Sequence, residues 1–156
     1  MYVIGHSNGA FMAFRMACDH ADQIAAVATL AGAMFQDVTK CKAAEPVSQL
    51  HIHADTDTEN LYDGGSINAP YPSAVTSVND WVTFDGCATT PDTSAPPLDL
   101  DVNLTGAETT VTKYAAGCKA GSAAELWTIN GGAHSPTFTP AFAPAVIDFL
   151  LAHPKP

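Results

Sequence analysis

Basic side chains are scarce in this sequence: Arg15 is its single arginine, and lysine and arginine together number 6 against 16 acidic residues. A formal charge of −10 repels phosphate backbones and anionic lipid, so neither nucleic acid nor a membrane surface is expected as a partner. Long hydrophobic runs are missing too, and no apolar stretch approaches the ~20 residues that span a bilayer. Met1 leads straight into an apolar strand without a basic n-region, so no secretory leader is read in the chain. CxxC and the other zinc-type spacings do not occur, which argues against a structural zinc site. There is no internal repeat. What is present is a length of 156 residues with 47% hydrophobic and 14% charged side chains, the make-up of one folded domain over 1–156.

Strands and helices alternate along the chain. Tyr2-Val3-Ile4 is a short β-prone run that stops at Gly5, and Asn8 to His20 is composed mostly of good helix formers. Ile24 to Leu30 is continuously apolar, as suits a strand buried on both faces, and Val47 to Ala54 is a further strand introduced by Pro46. Ser73 reads as the N-cap of a helix carrying Ala74, Val75, Val78, Trp81 and Val82. Thr89 to Thr105, rich in Pro, Asp and Thr, reads as a surface excursion. Thr109–Tyr114 and Glu125–Ile129 form an expected antiparallel pair turning at Gly117 and Gly121. A last helix runs from about Thr139 to Ala152, with Pro140 in its first turn and Pro144 favouring a later start. This order predicts an α/β fold, a mostly parallel sheet with helices on both faces.

Gly5-His6-Ser7-Asn8-Gly9 is a G-x-S-x-G pattern lying between a β-prone run and a helix, the setting of a nucleophile elbow. Such a turn strains the serine and projects its hydroxyl. Gly5 and Gly9 are both expected to be glycine because a β-carbon would clash where strand and helix pass closely. A serine hydroxyl needs a base, and the base needs an orienting carboxylate, in the chain order Ser, Asp, His. His134, after Gly131-Gly132-Ala133 in the loop beyond the 125–129 strand, is the candidate base. His6 is set aside because its position next to Ser7 points it elsewhere, and His20 and His153 are expected to meet terminal carbonyls at helix ends. Asp57 is the candidate acid, with Asp55 as the alternative and a turn-capping aspartate as the plain structural role. His51 and His53 share one strand face. Together with Asp55 they admit a metal, but hydrogen-bonded buried histidines are the expectation. The Asn8 N–H is a candidate oxyanion donor. Four cysteines permit three pairings, of which sequential linkage, Cys18–Cys41 and Cys87–Cys118, is the simplest.

Leu50-His51-Ile52-His53 with Asp57 and Tyr62-Asp63-Gly64-Gly65 resembles the poly(3-hydroxybutyrate) depolymerase and feruloyl esterase family of α/β-hydrolases, in its LpqC-like lineage. Gly5-His6-Ser7-Asn8-Gly9-Ala10, Ala26-Val27-Ala28, Ala31-Gly32, Gly131-Gly132-Ala133-His134 and residues 150–156 continue the likeness in family order. Ala54 stands where the family has glycine. The resemblance implies an extracellular or periplasmic serine esterase that uses no cofactor. It implies an acyl-enzyme on Ser7, with His134 and Asp57 assisting, and short-chain, feruloyl, acetyl or hydroxyalkanoate esters as substrates. It also implies a Cys87–Cys118 disulfide. Family members carry a long segment ahead of the nucleophile strand, including one oxyanion amide. The sequence is therefore expected to form the C-terminal half of the hydrolase sheet, starting at that strand. A bare outer edge predicts a homodimer through residues 1–16. The alternative function is a catalytically weak remnant serving in binding or assembly.

Overall fold

The continuously apolar 24–30 segment becomes an inner strand of a five-stranded sheet. In the computed structural model, which describes residues 1–155, the elements run β1 (Tyr2–His6), α1 (Asn8–Asp19), β2 (Ala26–Leu30), β3 (Ser48–Ala54), β4 (Gly65–Ile67), β5 (Ala69–Tyr71), α2 (Ala74–Asp85), β6 (Thr109–Tyr114), β7 (Ala124–Ile129) and α3 (Phe142–Ala152). The sheet order is β1-β2-β3-β7-β6, parallel except for the β6–β7 pair, and β4 and β5 form a separate hairpin. Every residue of β2 and β3 is buried, as a central strand covered on both faces requires.

Side chains alternate across these strands and divide the core in two. On one face Val27 and Leu126 meet α1 and α2 through Phe14, Ala17, Val78, Trp81 and Val82. On the other, Ala28, Leu50, Ile52 and Ile129 meet α3 through Val146, Phe149 and Leu150. Buried positions 10, 13, 14, 17 and 18 of α1, and 74, 77, 78, 81, 82 and 85 of α2, follow the 3.6-residue period. Ser73 caps α2 by accepting the Thr76 N–H at 3.0 Å, and Gly86, at φ 66°, closes it in the left-handed conformation. Helix α3 starts at Phe142 rather than Thr139. Pro144 then falls in the first turn, where its missing N–H has no partner to lose. Both sequential disulfides are present, Cys18–Cys41 and Cys87–Cys118.

Two readings need correction, and one element was missed by sequence reading. The 89–105 segment is not wholly a surface excursion. Leu98 and Asp92 bridge to β6, while Leu100 is fully buried against the α3 side and Asp101 bridges Phe138. The β4–β5 hairpin lies in sequence too short and too Pro- and Gly-rich to read as strands. Gly9 has open space where a β-carbon would stand, so only Gly5 of that pair is sterically compelled.

Asp85, the last residue of α2, is 1% exposed and takes the Val47 N–H at 3.4 Å on one oxygen. Its other oxygen is buried without a hydrogen-bond partner. Burial pushes its carboxyl from the ordinary 3.8 up to about 6, against the pull of Ser122, the Val47 N–H, Lys119 and Lys155. A folded value above the unfolded one stabilises fully below pH ~3.8, and that contribution is lost as pH rises through about 6. Asp85→Asn keeps the Val47 contact without a charge to desolvate. It should raise the melting temperature at pH 7.5 by roughly 5 °C and leave it unchanged at pH 4. Equal shifts at both pH values would refute this origin.

Candidate active site

Ser7 stands between β1 and α1 in a backbone conformation of φ 54° and ψ −120°, which costs a non-glycine residue of order 1–3 kcal/mol. The surrounding backbone imposes it. The Ser7 N–H donates to the Leu30 carbonyl at 2.8 Å, and the Ser7 carbonyl already accepts the Ala10 N–H of α1 at 2.9 Å. A β-carbon at residue 5 would lie 2.1 Å from the Gly9 carbonyl oxygen, so the tight turn from strand into helix depends on Gly5. Asn8 is the first helical residue, and its N–H has no carbonyl a turn earlier to bond.

The remaining groups come from the loops after β3 and β7, adjacent parallel strands whose ends lie side by side. The Ser7 hydroxyl donates to His134 Nε2 at 2.9 Å, and His134 Nδ1–H donates to Asp57 Oδ2 at 2.8 Å. These proton positions follow from Asp57 being able only to accept. Asp57 also fills the turn-capping role: its Oδ1 accepts the Glu59 N–H at 2.8 Å and the Asn60 N–H at 3.0 Å. One oxygen holds the loop and the other faces the imidazole. Burial pushes this carboxyl up, but hydrogen bonds from His134, Glu59 and Asn60 outweigh it and hold Asp57 below the ordinary carboxylate value.

Asp55 is not at the imidazole. It accepts the Gly131 N–H at 2.6 Å, and the Thr56 hydroxyl donates to the Gly132 carbonyl at 2.6 Å, so the two residues staple the Asp57 loop to the His134 loop. His6 lies closer to the site than its sequence position suggests. Its ring is 5.0 Å from that of His134, and its Nε2–H donates to the His134 carbonyl at 2.9 Å. His153 meets the Phe149 carbonyl at 2.7 Å, as expected of a helix end, whereas His20 bonds Met16 through its backbone N–H. His51 and His53 are both buried, facing each other and not Asp55, with Nε2 of one 3.1 Å from Nδ1 of the other. Asn60 was missed by sequence reading. Its side chain ties the Asp57 loop to the Ala31 carbonyl at 2.6 Å, a contact no local pattern announces.

Beside Ser7 opens a cleft of about 760 Å³ lined by Asn8, Phe11, Met34, Phe35, Asn60 and Tyr71 among others. Phe11 and Tyr71 meet edge to face at 5.6 Å on its wall. Ser7 is among the residues lining this mostly apolar cleft.

No protein-family model matches the chain. It is similar to "Feruloyl esterase B" of Piromyces equi, 27% identical over 144 residues, which are 86% of this chain and 25% of that protein. It is also similar to the "Putative esterase NocK" of Nocardia uniformis subsp. tsuyamanensis, 36% identical over 64 residues, 41% of this chain and 19% of that protein. The chain thus spans about a quarter or less of the length of these relatives. At that distance they support an esterase-like sequence and no finer assignment.

Proposed function

We propose that this chain is a carboxylic ester hydrolase of α/β-hydrolase type, working through an acyl-enzyme on Ser7. The observation that supports it most is the unbroken hydrogen-bond chain from Ser7 through His134 to Asp57, built on a serine with positive φ at the head of a helix. In the proposed reaction Ser7 Oγ attacks the ester carbonyl while His134 Nε2 takes its proton. The Asn8 N–H holds the oxyanion. His134 then returns the proton to the departing alcohol, leaving an acyl-serine. Water, deprotonated by the same nitrogen, releases the acid and restores the serine. Asp57 keeps His134 in the Nδ1–H tautomer and stabilises the imidazolium.

Short-chain, feruloyl, acetyl and hydroxyalkanoate esters are the proposed substrates, on the strength of the apolar cleft and the esterase names of the relatives. The two disulfides, and the lack among the described residues of any helix long and apolar enough to cross a membrane, support an extracellular or periplasmic setting. The outer edge of β1 is unpaired among the described residues, and Ile4 and Met12 beside it are 58% exposed. For the chain by itself we propose that a second copy covers residues 1–16, as sedimentation at micromolar concentration would read.

The direct test is a fluorophosphonate probe on the folded protein. Stoichiometric labelling of Ser7, absent in Ser7→Ala, is expected. A folded chain that takes no label would overturn the hydrolase reading in favour of a binding or assembly role.

A further inference from the structure

Behind Asp57, on the side away from Ser7, lies a row of buried polar groups that the proposed reaction does not use. Gln49, His51 and His53 alternate along β3 and therefore share one face. Parallel register sets Thr29 of β2 directly beside His51. The four side chains are 0–1% exposed and lie in a continuous line. Gln49 Nε2 is 3.2 Å from Thr29 Oγ1, Thr29 Oγ1 is 2.8 Å from His51 Nδ1, and His51 Nε2 is 3.1 Å from His53 Nδ1. His53 Nε2 then lies 2.8 Å from the Asn60 carbonyl and 3.3 Å from Asp57 Oδ2.

The proton positions along this line follow from its far end. The Asn60 carbonyl and an ionised Asp57 can only accept, so His53 Nε2 carries the hydrogen. Burial holds both imidazoles below their ordinary value, for His53 against opposing pulls from Asn60 and Asp57 and with a push from His134, and for His51 with a push from His53 against a pull from the Thr29 backbone. A neutral His53 with Nε2–H has a bare Nδ1, which must accept. His51 therefore donates through its own Nε2–H. Its Nδ1 is bare in turn and accepts the Thr29 hydroxyl hydrogen bond at 2.8 Å, closer than that hydroxyl's other acceptor, the Leu50 carbonyl at 3.3 Å, and Thr29 Oγ1 accepts from the Gln49 amide. Reversing His51 would set two lone pairs against each other at 3.1 Å in a dry interior, where an unsatisfied polar contact costs on the order of 1–3 kcal/mol.

We infer that His53 is a positioning residue for Asp57, held as the Nε2–H tautomer by a one-way hydrogen-bond chain running from Gln49 through Thr29 and His51. The inference rests on the proposed role of Asp57. Three N–H groups hydrogen-bond the carboxylate, Glu59 and Asn60 on Oδ1 and His134 on Oδ2, and His53 Nε2 lies 3.3 Å from Oδ2 while holding the Asn60 carbonyl. That set blocks rotation of the carboxylate and keeps one oxygen aimed at His134. The His53 N–H donates to the Asn60 carbonyl, and its nitrogen makes the longer of the two contacts on Oδ2, so its partial positive charge limits the charge offered to His134 without displacing it. The titratable groups facing this row are His134, Glu59 at 3.9 Å from His134, Tyr62 with its ring 5.6 Å from His53, and His6 beside His134.

Nitrogen-15 NMR of the histidine side chains tests this without requiring turnover. His51 and His53 should both show the Nε2–H tautomer at neutral pH and should charge only below the pH at which an ordinary histidine does. In His53→Leu the low-field His134 Nδ1–H proton should move. The kcat should fall by about tenfold at unchanged KM, a typical loss on removing an outer hydrogen-bond partner. The acid limb of kcat/KM should shift to higher pH, because Oδ2 then offers its full charge to His134. His53→Gln, whose amide nitrogen stands near the Nε2 position, should restore the resonance and the limb. An Nδ1–H tautomer at either histidine, or a folded His53→Leu with an unmoved His134 resonance, would overturn the inference. If His53→Leu does not fold, the wild-type tautomers and the Gln variant decide. Wild type that takes no fluorophosphonate overturns the hydrolase reading, whereas a labelled wild type with an indifferent His53→Leu overturns only this one.

Discussion

Ser7→Ala should lower kcat on p-nitrophenyl acetate by about 10⁴-fold or more, because Ser7 carries the hydroxyl hydrogen-bonded to His134 Nε2, the proposed acceptor of the acyl group. Asp57→Asn should approach the same loss, on the order of 10⁴, while leaving the fold intact. The reason lies in the two faces of that side chain. The Glu59 and Asn60 N–H groups require an oxygen on their side, which turns the amide nitrogen of asparagine toward His134. An amide N–H there favours a bare Nδ1 and moves the imidazole proton to Nε2, facing Ser7, where it cannot accept the hydroxyl proton. Initial rates with circular dichroism on the same samples read both effects. Asp57→Asn with wild-type kcat would remove Asp57 from the mechanism, and Ser7→Ala with wild-type kcat would remove the mechanism itself.

Gly5→Ala and Gly9→Ala should differ in sign although they occupy the two ends of one motif. A β-carbon on residue 5 would sit 2.1 Å from the Gly9 carbonyl oxygen and 2.4 Å from its carbon, both backbone atoms of the turn that holds Ser7. Relief requires strand and helix to separate. We expect a loss above about 3 kcal/mol, with Ser7 no longer reactive toward a fluorophosphonate. A β-carbon on residue 9 meets nothing within 4 Å. Alanine there gains helix propensity, so stability should hold or rise by up to ~0.8 kcal/mol. Urea unfolding of the two variants measures the contrast. Equal destabilisation would show that the turn is not set by the close approach at Gly5.

Much of the fold was legible because its signals are local. The apolar run at 24–30, the β-prone segment 47–54 after Pro46, the alternation at 109–114, the Ser73 cap and the G-x-S-x-G turn each express a preference of neighbouring residues for one backbone conformation. They therefore survive without knowledge of the rest of the chain. The same locality misled at Gly9, where the motif implied a clash that the packed helix does not contain. It also misled at 98–101, where Pro and Asp content masked a buried leucine.

The site divides along the same line. Sequence by itself determined that Ser7 sits in a strained turn, that His134 follows the last parallel strand, and that Cys18–Cys41 and Cys87–Cys118 were the simplest pairs. It named Asp57 as the candidate acid and kept Asp55 as the alternative, since both occupy one polar loop. Only the parallel register of β3 on β7 decided between them, by setting the 55–57 loop against 131–134 so that Asp55 reaches the Gly131 backbone and Asp57 the imidazole. Tertiary structure likewise decided that His6 braces the His134 carbonyl and that His51 lies between Thr29 and His53. Those contacts join residues 22 to 128 positions apart or depend on which strand is the neighbour. No local conformational preference encodes them, because they exist only once the sheet has assembled.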